Sequence, residues 1–273
     1  MPEPTLERYD WAAGRSRRTG FFDVDTGGEM TLELRRSGNE FQIMRRFGYW
    51  DARYPEPFIV PADPLYFRTD LATIPPVFSW LIPTMGMQLP AALVHDALVT
   101  SDGELPTHDG PSVSREEADR IFRDALKHIG TPVVRRWLIW SGAALGTIWV
   151  TARPRPALRL LTVFTLVAAA VLGCLTVLDL FDAVNVLPWM ASRPWWAELP
   201  LGLAATITIP LAISVLWSPR WRIGAITGVA GTLLAPITVA ITATSAAYYL
   251  VEMAASSRHG LSPDVASSLA RQD

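Results

Sequence analysis

Cysteine and lysine are nearly absent from the chain. Cys174 is the only cysteine, so no disulfide framework forms within one chain and the redox compartment is left open. Lys127 is the only lysine among 24 cationic residues; the arginine excess reads as GC-rich coding bias rather than as physics. A Gly-rich phosphate loop, Cys-based zinc spacing and a Ser nucleophile elbow are also missing, which removes three common routes to chemistry. The opening MPEPTLERYD has no basic region followed by an apolar one, so it is not expected to be a secretory signal. Net charge is only −2, and no segment is basic enough for a nucleic-acid surface; no nucleic-acid partner is expected.

Charge itself is scarce in the second half. Residues 1–159 hold 19 Lys and Arg and 20 Asp and Glu, whereas residues 160–251 hold six charged residues in all: Asp179, Asp182, Arg193, Glu198, Arg220 and Arg222. Three uncharged runs result, 160–178, 199–219 and 223–251. A helix needs about 20 apolar residues to cross a bilayer, and all three meet that length closely enough. Pro210 and Pro236 lie inside the second and third, where neighbouring helices tolerate a kink. Trp189, Trp195, Trp196, Trp217 and Trp221 lie in or beside the connections, where an interfacial aromatic belt belongs. Buried soluble helices are the plainer alternative, but three such runs in 92 residues weigh against it.

Arginine placement gives an orientation. Arg153, Arg155 and Arg159 precede the first run, and Arg220 and Arg222 separate the second from the third. The loop 179–198 carries one Arg and three acids. By the positive-inside rule both Arg-rich segments face the cytoplasm. The expected location is the cell's inner or plasma membrane, with the amino-terminal domain cytoplasmic and the tail 252–273 outside. Residues 137–151 are apolar but short, with basic residues at both ends, and are expected to form the last helix of the soluble domain, lying against the bilayer; if they span it instead, the amino-terminal domain moves to the other face.

Residues 30–36 and 40–50 are strand-like runs around Ser-Gly-Asn, a hairpin pattern, and prolines favour extended chain over 57–69. Pro90 suits the first turn of a helix reaching about Val99. Ser114-Arg115-Glu116-Glu117 is a capping box. After it, Ala118, Ile121, Phe122, Ala125, Leu126 and Ile129 share one helical face, and Gly130 stops the helix. Asp119 lies beside that stripe and can face a neighbouring helix, whereas Asp124 is expected to point to water.

Within AALVHDALV, His95 and Asp96 break an apolar helix. They sit about 100° apart around its axis and so reach different partners. A functional reading gives His95 a proton-transfer role, with Asp119 as the carboxylate that orients it. Asp96 then binds a cation, and calcium, which prefers oxygen ligands, can draw on Asp70 and the backbone of Thr69–Pro75. The plainer reading makes His95 a satisfied core histidine, Asp96 a surface acid and Asp70 a cap or turn residue. His108 and Asp109 repeat the dipeptide in a Gly/Pro-rich loop and are expected to face solvent.

The stretch FRTDLATIPPVFSWLIPTMGMQLPAALVHDALV, followed by SREEADRIFRDALKHIG, resembles a phage- and prophage-associated family known as domain of unknown function 1353. That family has T-D-x-A-S-I-P, then a helix with A-x-x-H-D, then a helix with D-x-x-F. The resemblance covers roughly residues 30–150. Thr73 stands where Ser is usual and Val99 where an aromatic is common. The resemblance implies no established activity. A weaker one, to prokaryotic phospholipases of the A-two type, implies Asp70 and Asp96 as calcium ligands, His95 as the base that activates water, and Asp119 as the group that orients its ring. The disulfides of those enzymes are absent here.

The expected architecture is α+β: a small antiparallel β part plus a helix bundle, followed by three transmembrane α-helices. It comprises an extension 1–29, a soluble domain 30–152, a membrane domain 153–251 with spans near 160–178, 199–218 and 223–250, and a polar tail 252–273. The expected function is calcium-dependent hydrolysis of (phospho)lipid esters at a bilayer. The alternative is a non-enzymatic membrane protein in phage lysis, virion assembly or host interaction, with phage or host membrane proteins as partners.

Overall fold

Short β-rich segments interrupted by turns, then capped amphipathic helices, then long apolar ones set the order of elements. The computed structural model describes residues 20–38, 40–69, 86–99, 107–152, 156–190 and 193–258. Two compact units divide the chain: Met1–Ile74 with Pro83–Thr147, and Pro75–Ile82 with Ile148–Asp273.

The first unit is α+β, with two small antiparallel sheets. One has the order β1-β4-β5, from β1 (Gly20–Asp23), β4 (Phe47–Trp50) and β5 (Phe58–Val60). The other has the order β2-β3-β6, from β2 (Leu34–Ser37), β3 (Glu40–Ile43) and β6 (Arg68–Thr69). The hairpin expected around Ser-Gly-Asn is β2–β3, with Ser37 opposite Glu40. Gly38 has φ +67°, a conformation glycine adopts without a Cβ penalty. The run 40–50 breaks at Met44–Arg46, so β4 leaves β3 and pairs with β1 (Phe47 opposite Asp23) and β5 (Phe47 opposite Val60). Residues 20–23, expected in the extension, therefore belong to a sheet.

Helices α1 (Leu89–Leu98) and α2 (Arg115–His128) pack together, α1 also against β5 and α2 against β1. Pro90 lies in the first turn of α1. Ser114 caps α2 by accepting the Glu117 N–H at 3.2 Å, and Gly130, at φ +78°, follows its end. Leu93, Val94, Ile121, Leu126, Phe47, Tyr49, Phe58 and Val60 are fully buried between helices and strands. Each large apolar side chain taken from water there contributes about 1.5–3 kcal/mol. Helix α3 (Val133–Thr151) begins after Pro132 and takes in the apolar run at 137–151.

The second unit holds α4 (Pro156–Leu180), α5 (Trp195–Ser214), a 3-10 turn (Val215–Arg220) and α6 (Trp221–Arg258). These helices pack on one another through small residues. A Cβ on Gly173 of α4 would collide with the Thr232 carbonyl of α6, and one on Gly228 of α6 would lie 2.9 Å from Pro210 Cβ of α5. Such close approach is typical of helices that associate without a hydrophobic driving force. Trp217 is buried and donates its indole N–H to Thr165 Oγ1 at 3.1 Å.

Among the described residues two helical stretches, not three, are long and apolar enough to cross a membrane by length and composition: Pro156–Leu180 and Trp195–Ala255. The second runs for 61 residues and takes in both of the later expected spans. Its continuity is interrupted at Ser218, whose φ 50° and ψ −118° are not helical, before Pro219.

Candidate functional site

The site is built by two helices whose starts are fixed by sequence, Pro90 for α1 and the Ser114 cap for α2. Packing α1 on α2 brings His95 and Asp119 together: His95 Nε2 lies 2.8 Å from Asp119 Oδ1. The Asp119 residue is 4% exposed, and the His95 side chain is 17% exposed. Phe122, one turn after Asp119, lies against the imidazole with ring centroids 4.8 Å apart and a 33° interplanar angle. A carboxylate only accepts, so Nε2 carries the hydrogen and donates it. The lone pair of neutral His95 then falls on Nδ1, which has no hydrogen-bond partner among the described residues. A histidine with one nitrogen held by a buried carboxylate has its ring orientation and tautomer fixed by that bond.

Of the two expected metal ligands, only Asp96 lies among the described residues. Asp96 is half-buried at the next position of α1 and takes part in an interaction of its own. Asp70 lies outside the described residues. Among the described residues no three His, Cys, Asp or Glu side chains converge on a point that could hold a metal ion.

A second polar network escaped the sequence reading. Arg120, next to Asp119 but on another face of α2, bonds three carboxylates: Asp51 at 2.9 Å, Glu117 at 2.7 Å and Asp124 at 2.8 Å. Burial alone would lower the Arg120 pKa, but hydrogen bonds to Glu117 and Asp51 outweigh it and raise it. Tyr54 donates to Glu117 at 3.2 Å, and burial followed by that carboxylate raises its pKa. Asp124 does not simply face water; it also accepts from Arg123, whose guanidinium lies over Trp137 and Trp140. The i, i+3 and i, i+4 spacing of Glu117, Arg120 and Asp124 was the available signal; Asp51, 69 residues away, gave none.

Tyr49, fully buried, has its hydroxyl 2.9 Å from His128 Nδ1. Burial raises the Tyr49 pKa, and burial together with Lys127 lowers that of His128 against Asp124 and Asp51. At the surface loop, Asp23 is buried and accepts from Thr26 and Arg45; these bonds overcome the effect of burial and lower its pKa.

In the second His-Asp pair Asp109 is exposed, as expected, while it forms a β-bridge with Ile59 and an ion pair with Arg46; His108 departs from the expectation in being half-buried. The His108 ring nitrogens lie 3.1 Å from the Ala97 carbonyl and 3.2 Å from the Pro111 carbonyl. This pair ties a loop to β5 and to the end of α1, and the Gly/Pro composition around it concealed that role.

Residues 41–143 match the model of a family described as protein of unknown function (DUF1353). The matched segment runs from β3 into α3 and contains both His95 and Asp119. No curated protein and no solved structure matches the chain.

Proposed function

We propose that the first unit is an ester hydrolase working at a lipid surface, with His95 as its base and Asp119 as the carboxylate that orients and stabilises it. The supporting observation is the 2.8 Å contact between His95 Nε2 and buried Asp119. Nδ1 takes a proton from water as the oxygen attacks the ester carbonyl. Asp119 stabilises the imidazolium, which then returns the proton to the departing alcohol oxygen. A carboxylic acid and an alcohol result.

The lipid surface is the bilayer in which the second unit sits. Helix α4 spans about 37 Å at 1.5 Å per residue, against a hydrocarbon core of about 30 Å. The 61-residue stretch would reach about 92 Å if straight, three times that thickness. The non-helical Ser218 and the packing of α5 on α6 support a reversal there, giving three crossings in all. Arg159, Arg220 and Arg222 then share one side, the cytoplasmic one.

A second reading has its own support. The Phe122 contact and the burial of Asp119 also suit a purely structural tie between α1 and α2 in a non-enzymatic membrane protein. Incubating the full chain with phospholipid vesicles, with calcium or with a chelator, separates the two. The hydrolase releases fatty acid, and His95→Gln lowers the rate by about 10²–10⁴-fold. No release by the wild type in either condition leaves the structural tie.

A further inference from the structure

Charge in the helical bundle of the second unit is divided between its ends. Trp217 on Thr165 places the turn after α5 beside the first turns of α4, and α4 and α6 run in the same direction, with Ala169 near Gly231 and Gly173 near Thr232. Arg159, Arg220 and Arg222 therefore lie at one end. Asp179, Asp182 and Glu198, offset by Arg193 alone, lie at the other. The amino termini of α4 and α6 add their positive dipole ends to the arginine rim.

Two of those arginines are paired with indoles. The Arg159 guanidinium lies 5.2 Å from the Trp149 ring centroid and donates to the Trp149 carbonyl at 2.8 Å. That of Arg222 lies 5.7 Å from the Trp221 ring. Both tryptophans are half exposed. Just past the rim, along the bundle, Leu160, Phe164, Val215 and Leu216 are exposed. The surface thus runs from cation through aromatic to aliphatic within about two helical turns.

We infer that this rim is a binding surface for anionic phospholipids, the arginines holding the headgroup phosphate and the aliphatic belt holding the first part of the tails. The inference rests on the second unit being membrane-embedded. Charge complementarity selects the headgroup, and the apolar belt selects a lipid over free phosphate. The sequence of cation, indole and aliphatic surface matches the order of a phospholipid from phosphate to glycerol to chain.

The test is native mass spectrometry of the full chain released from detergent, after addition of phosphatidylglycerol, phosphatidylcholine of the same tails, or inorganic phosphate. Phosphatidylglycerol is retained at least tenfold better than phosphatidylcholine, and salt at 0.5 M weakens it. Each of Arg159→Gln and Arg222→Gln lowers retention about fivefold, whereas Arg193→Gln at the other end does not. Arg159→Lys with Arg222→Lys keeps the charge and keeps most of the retention, which guards against misfolding of the glutamine variants. Equal retention of the two lipids by the wild type, insensitivity to salt, or phosphate bound as well as phosphatidylglycerol overturns the inference. Release of the chain from membranes by alkaline carbonate instead overturns the membrane reading on which it rests.

Discussion

Gly173→Ala and Gly146→Ala are the same chemical change with opposite expected signs. At Gly173 the added Cβ collides with the Thr232 carbonyl oxygen and lies 2.9 Å from its carbon and 3.2 Å from its Cα. All three are backbone atoms of α6, so no rotamer change relieves the clash. The helices must separate by about 1 Å. Overpacking of this kind costs about 1–3 kcal/mol, and a backbone collision belongs at the upper end. Alanine returns up to about 1 kcal/mol of helix propensity, which leaves a net loss near 2 kcal/mol. At Gly146 of α3 nothing lies within 4 Å of the new Cβ, so only the propensity gain remains, about 1 kcal/mol of stabilisation. Unfolding followed by tryptophan fluorescence in a fixed detergent, titrated with dodecyl sulfate, measures both variants. Gly173→Ala as stable as the wild type would refute the packing of α4 on α6.

Other outcomes follow from the first unit. Asp119→Ala leaves the half-buried imidazole without its partner and costs about 1–3 kcal/mol, whereas Asp119→Asn keeps an accepting oxygen and most of the stability; thermal unfolding distinguishes them. Arg120→Met leaves Asp51 and Glu117 without their cation and Asp124 with Arg123 alone, and costs about 3–5 kcal/mol, seen as a large fall in denaturant midpoint. Because the His128 pKa is lowered on folding from its usual 6.5, the unfolded chain takes up its proton first. Stability therefore falls as pH drops below about 6.5, and His128→Gln removes that slope from a pH series of unfolding curves. Asp23, whose pKa is lowered from 3.8, stabilises the fold above that pH and ceases to do so as pH falls through its folded value. Asp23→Asn removes this acid-limb loss.

Local signals carried much of the site. Proline at position 90, the Ser114 cap and the 3.6-residue period fixed α1 and α2, and the place of Asp119 beside the apolar stripe pointed it at the facing helix. Long-range pairing was less legible. Strand β4 leaves its sequence neighbour β3 for β1 and β5, because buried Phe47 and Tyr49 need cover that adjacent residues do not provide. The ion pair between Arg120 and Asp51 joins residues whose spacing has no period to reveal it. In the second unit the charge-free runs located the helices. The reversal at Ser218 depends on a single residue in an unusual conformation, which hydropathy does not report.

The central claim is that His95, held at Nε2 by Asp119, is a hydrolytic base. Fatty acid released per mole of protein from the same phospholipid vesicles, by wild type and by His95→Gln of matched stability, tests it most directly. The account predicts release by the wild type and at least a 100-fold fall in the variant. Equal release by the two proteins would contradict it.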